Sequence, residues 1–145
     1  MTLDVTATET IATDPDRVFD YATDPAHDPV WIGGIREADL VGEPPLAKGS
    51  SVRRVASFMG RRIDYVLEVT ELDPGTRLAM RSVRSPFPMA VTYSFEPADG
   101  GTRMAIRVEG EQPGGMYPLA GPLLPGMVRR SVARDLRRLK AILER

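Results

Sequence analysis

The segment Val128-Arg129-Arg130-Ser131-Val132-Ala133-Arg134-Asp135-Leu136-Arg137-Arg138-Leu139-Lys140-Ala141-Ile142-Leu143 decides the fold. Val128, Val132, Leu136, Leu139 and Leu143 recur every three or four residues, which is the period of a helix. The spacing predicts one amphipathic helix over residues 126–144. Its apolar stripe has to be buried against another layer. The rest of the chain must supply that layer.

Immediately upstream the period is two. Residues 62–72 put Ile63, Tyr65, Leu67 and Val69 on one face. Residues 77–84 do the same with Leu78, Met80 and Ser82, residues 89–96 with Met89, Val91, Tyr93 and Phe95, and residues 103–111 with Met104, Ile106 and Val108. Gly60-Arg61, Asp73-Pro74-Gly75 and Asp99-Gly100-Gly101 are turn signals between them. Residues 35–41 and 51–59 add two further strands, and residues 3–12 a first one. Clean alternation predicts antiparallel hairpins with one buried and one wetted face.

Two short helices interrupt the strands early. Asp14-Pro15 and Asp24-Pro25 each place an N-capping carboxylate before a proline at the first helical position. The second helix is predicted over residues 25–32, ended by Gly33-Gly34. The order is therefore β, α, α, six strands and one long helix. That predicts an α+β fold in one domain over residues 1–145, with a curved seven-stranded antiparallel sheet wrapped round the long C-terminal helix and the short helices plugging one end. Residues 116–124 are apolar but proline-broken, and read either as a kinked lead-in turn or as a lid.

Composition excludes much chemistry. There is no cysteine among the 145 residues, so disulfides, thiolate nucleophiles and cysteine-bound metals are ruled out. His27 is the single histidine, which leaves no multi-histidine metal site. No cofactor-binding fingerprint occurs, since Gly33-Gly34, Gly100-Gly101 and Gly114-Gly115 are turn pairs. Met1-Thr2-Leu3-Asp4 lacks the start of a signal peptide, and the apolar residues 118–128 are too few for a spanning helix, which needs about 20. A cytoplasmic protein without a transmembrane segment is expected, as a monomer or homodimer.

Taken in order, these elements resemble the START-related SRPBCC superfamily with its helix-grip fold. The resemblance covers nearly the whole chain. It rests on residues 11–21, which look like a first strand running into a proline-capped helix; on Leu72-Asp73-Pro74-Gly75-Thr76-Arg77-Leu78; on Tyr93-Ser94-Phe95-Glu96-Pro97 with Gly100-Gly101-Thr102-Arg103-Met104; and on Leu136-Arg137-Arg138-Leu139-Lys140. The chain looks most like small bacterial members of the polyketide cyclase/dehydrase and lipid-transport type. The resemblance implies an apolar cavity between sheet and helix that takes lipids, polyketides, isoprenoids or similar molecules.

On that reading the cavity is lined by Trp31, Phe58, Tyr65, Leu67, Met80, Ser82, Met89, Val91, Tyr93, Met104, Ile106, Met116, Tyr117, Val128 and Val132. Methionines adapt to irregular apolar shapes, and phenols donate hydrogen bonds, so this mixture suits either a permissive pocket or ordinary core packing. Glu9, Arg54 and Arg84 share parity with apolar neighbours. A charge facing an apolar interior is costly unless paired, so either these residues pair inside or a bulge turns them outward. Bulges are common in strongly curved sheets, which favours the outward outcome. His27 lies four residues before Trp31, and so would share its helix face. The plainer reading makes it a surface histidine beside Asp24 and Asp28.

Three functions compete at this stage. The poverty of catalytic groups favours a non-enzymatic carrier or sensor of a small hydrophobic ligand. A cofactor-free polyketide cyclase, aromatase or dehydratase would draw on His27, Tyr65, Tyr93 and Arg84. The third is an interaction module docking to ribosome or membrane through Arg130, Arg134, Arg137 and Arg138. Nucleic-acid readout is not expected, because that helix has no interleaved aromatics.

Overall fold

The fold is seen in a computed structural model that describes residues 2–58, 60–85, 88–111 and 123–145. Expectations placed on the Phe58 side chain, Met59, Met116 and Tyr117 fall outside what is described, as does the 116–124 segment up to residue 122.

The elements run β1 (Thr2–Ile11), α1 (Pro15–Ala22), a single 3-10 turn (Pro25–His27), α2 (Asp28–Trp31), β2 (Ile35–Val41), β3 (Ser51–Phe58), β4 (Arg61–Asp73), β5 (Arg77–Arg84), β6 (Met89–Ala98), β7 (Gly101–Glu111) and α3 (Leu124–Leu143). The strands form one antiparallel sheet in the order β1-β7-β6-β5-β4-β3-β2. From β2 to β7 each strand neighbours the next in the chain. Only β1 departs from this, pairing β7 from Thr2↔Glu111 to Ile11↔Thr102. This is the expected helix-grip architecture.

Local chemistry explains the short helices. Asp14 accepts from the Arg17 amide at 3.1 Å, and Asp24 from the Ala26 amide at 3.0 Å, each just before a proline. The predicted 25–32 helix is broken, however, into the 3-10 turn and one α turn.

The inner face of the sheet alternates as read. Ile63, Tyr65, Leu67, Val69, Met80, Val91, Tyr93, Phe95, Met104 and Ile106 are buried in one cluster with Leu136, Leu139 and Leu143 of α3. Polar bonds fix α3 along both flanks. Asp135 Oδ1 accepts from the Gly33 amide at 3.0 Å, and Arg138 Nη1 donates to the Trp31 carbonyl at 2.9 Å. Near the helix end, Lys140 Nζ donates to the Thr10 carbonyl at 2.8 Å, and Glu144 accepts from the Ala12 amide at 2.7 Å. Arg129, Arg130, Arg134 and Arg137 face outward, as a solvated stripe should. Among the described residues no helix is long and apolar enough to cross a membrane.

Candidate functional site

The three interior charges weighed from sequence part company. Arg54 is the correction: it points inward, where a bulge had been expected to turn it out. It sits on β3 opposite Tyr65 of β4, between the buried Val52 and half-buried Ala56, with no register shift beside it to reverse the face. Arg84 does face solvent. Leu67 pairs Ser82, but Val66 pairs Arg84, so Val83 is an extra residue in β5. That bulge changes the parity and sends Arg84 to the outer face. As an exposed side chain it cannot act from the interior. Glu9 is half-buried and accepts from the Thr10 amide at 3.3 Å.

Arg54 is not alone inside. Its Nε and Nη2 lie 2.9 and 2.8 Å from one oxygen, Oδ2 of Asp28, the first residue of α2. Nη2 also donates to the Tyr93 hydroxyl at 3.2 Å. The two charged side chains are only 6% and 3% exposed. A buried ion needs a counter-ion and hydrogen bonds to be tolerated, and here it has both. Burial raises the Asp28 carboxyl above its ordinary value, against the pull of Arg54. Burial also pushes the Tyr93 phenol up to about 12, so it keeps its proton at neutral pH. That proton has no acceptor among the described residues. Trp31 packs edge-on against Tyr93, ring centroids 5.9 Å apart, and its buried Nε1 likewise finds no partner.

Two spaces adjoin this cluster. A chamber of about 10 Å³ is bounded by Ala22, Thr23, Pro25, Asp28, Leu46, Val52, Arg54, Leu78, Met80 and Tyr93. A half-open hollow of about 660 Å³ lies between α1 with the 3-10 turn on one side and β2, the 42–46 loop and the β4–β5 turn on the other. Thr23, Pro25 and Leu46 line both spaces, and so stand between them. The walls of the hollow are largely Phe19, Ala38, Leu40, Pro44, Pro45 and Leu72, with Asp20, Asp24 and Asp39 among them.

The residues expected to line a cavity separate accordingly. Met80 and Tyr93 reach the chamber. Trp31, Tyr65, Leu67, Val91, Met104 and Ile106 are buried in the packed cluster, with Met89 and Val132 packed against it and Val128 half-buried. Ser82 Oγ accepts from the Met89 amide at 2.9 Å, which ties β5 to β6. His27 does not share the surroundings of Trp31, because the helix break after it changes the angular step. It stacks on Tyr21 with centroids 3.9 Å apart. Its Nδ1 lies 3.0 Å from the Tyr21 carbonyl, which can only accept, so Nδ1 carries the hydrogen. It borders an outer groove of about 430 Å³ with Arg17, Asp20, Asp24, Ile142 and Leu143.

Sequence reasoning missed Asp28 and the Leu46 loop. Asp28 was hidden among ten acids of the first 50 residues, although its spacing of three from Trp31 places both on one helical face. Nothing in the local pattern around Leu46 marks it. Among the described residues no group of three or more acidic or histidine side chains could hold a metal ion.

Comparison with known proteins agrees with this architecture. No curated protein matches the chain. The protein TTHA0849 from Thermus thermophilus superimposes with a TM-score of 0.82 at 23% identity, over 95% of this chain and 94% of that one. The Zhui aromatase/cyclase from a Streptomyces species gives 0.82 at 19% identity, over 100% and 95%. A START superfamily protein from Mycobacterium smegmatis gives 0.82 at 14%, over 97% of each. At these identities the likeness is one of fold. The sequence itself matches the model of one family over residues 2–144, and the chain therefore belongs to the polyketide cyclase/dehydrase and lipid transport family.

Proposed function

We propose that this protein binds a small hydrophobic ligand and does not transform it. The hollow of about 660 Å³ beside α1 carries the proposal. Ligand sites occupy roughly 300–1,000 Å³, with mostly apolar walls and a few polar groups. This hollow has such walls, and it adjoins one compact polar cluster across Thr23, Pro25 and Leu46. Binding draws on apolar burial at roughly 25 cal/mol per Å².

The competing cyclase reading asks for a group near the ligand that exchanges a proton close to neutral pH. Around the chamber, Asp28 is held by Arg54, and Tyr93 is pushed up to about 12. His27 borders the outer groove instead. These placements support binding over catalysis.

Titration with Nile red, a neutral hydrophobic dye, tests the proposal. A saturable fluorescence rise is expected, weakened in Leu46→Asp, which puts a charge in the wall shared by the hollow and the chamber. Absence of saturable binding would overturn it. Recovery of a chemically altered ligand after incubation would overturn the non-catalytic half.

A further inference from the structure

We infer that the ligand presents a single uncharged oxygen to the interior, as an alcohol or a ketone does, rather than a carboxylate. This rests on the hydrophobic-ligand reading above and names the chemistry of the ligand's head.

Size comes first. The chamber beside Arg54 holds about 10 Å³. A cavity of roughly 10–15 Å³ takes one water molecule, hence one oxygen atom. So small a space favours a head of one oxygen over the two of a carboxylate. The body of the ligand would stay in the hollow, and its head alone would pass Thr23, Pro25 and Leu46.

Charge points the same way. Both nitrogens that Arg54 turns toward Asp28 fall on one oxygen, so its positive charge is already matched. The groups around it are Asp28 from α2, Arg54 from β3, Tyr65 from β4 and Tyr93 from β6. The two charged members, Arg54 and Asp28, sum to zero. An arriving carboxylate would leave a net negative charge away from water, which is strongly disfavoured. A neutral oxygen meets no such penalty.

Donors complete the picture. Thr23 Oγ1 is committed to the Phe19 carbonyl at 2.8 Å. Tyr93 already accepts from Arg54, which leaves its own hydroxyl proton to give. A ketone or alcohol oxygen is the acceptor that proton lacks.

The test uses the full chain and displacement of Nile red by four ten-carbon probes at about pH 8, where a carboxylic acid is ionised. Decan-1-ol and 2-decanone should displace the dye at concentrations about tenfold or more below decanoate. They should also act about twofold to tenfold below decane, the range that one net hydrogen bond provides. Asp28→Asn frees the charge of Arg54, and should improve decanoate by about tenfold relative to decan-1-ol. If Asp28→Asn fails to fold, the ranking with the unaltered protein decides alone. Decanoate binding as well as decan-1-ol to the unaltered protein overturns the inference, as does an unchanged ranking in folded Asp28→Asn. Failure of all four probes against a dye that binds overturns it and leaves the hydrophobic-ligand reading standing. Failure of the dye itself overturns both.

Discussion

The guanidinium of Arg54 meets the Asp28 carboxylate through two nitrogens on one oxygen, Nε at 2.9 Å and Nη2 at 2.8 Å. One buried contact thus joins the plug α2 to the middle of β3. Removing one partner strands the other charge in the core. Arg54→Met should cost about 3–5 kcal/mol in urea denaturation. Adding Asp28→Asn should recover much of that loss, since no unpaired charge remains. A double variant no more stable than Arg54→Met would contradict this account of the pair.

The end of α3 supplies a pH-dependent tie. Glu144 bonds Lys140 and the Ala12 amide, and these hold its carboxyl below the usual value of 4.5. A carboxyl lowered in the folded state adds stability above its ordinary value, and loses it as pH falls through the folded value. Glu144→Gln should therefore lower Tm by a few degrees at neutral pH. The gap from the unaltered protein should close under acid conditions, as read by circular dichroism melts from about pH 7 to pH 3.

Two glycines should respond with opposite signs. A methyl at Gly101 would collide with the Ile11 carbonyl oxygen, where β7 begins its pairing with β1. Gly101→Ala should cost about 1–3 kcal/mol, because backbone has to move. Gly126 lies in the first turn of α3, and a built Cβ has as its nearest neighbour the Arg130 Nη1 of the next turn, 4.0 Å away. Gly126→Ala should stabilise by about 0.5–1 kcal/mol. Chemical denaturation of both variants checks the pair of signs.

Arg84 offers a control for the interior. Since the Val83 bulge turns it outward, Arg84→Met should change stability by less than about 0.5 kcal/mol and leave Nile red affinity unaltered. Loss of dye binding in that variant would mean that the residue reaches the ligand.

The fold was readable because period carries it. Ile63, Tyr65, Leu67 and Val69 are as apolar a set as Val128, Val132, Leu136 and Leu139, and the difference in spacing separates strand from helix. The site was only half readable. Parity correctly named Arg54 as a residue that could face in, but the same rule named Arg84, and one inserted residue in β5 separates them. Bulges leave no mark in the local pattern. Asp28 becomes a partner of Arg54 only when a plug formed near the chain start is laid across β3, a contact 26 positions away. Many of the side chains assigned to a cavity are buried in the core cluster, and alternation alone reports which face is covered, not whether space remains beneath it.

The pairing of β1 with β7 also sets an order of assembly. Thr2 waits for Glu111, whereas β2 through β7 each meet the strand made just before or after. β1 is made before its partner β7, with the rest of the meander between them. Contacts that span so much chain slow folding, since loop closure must precede any gain. β1 is thus the strand whose pairing spans the whole meander, and it covers an edge of β7 that would otherwise be open to another strand.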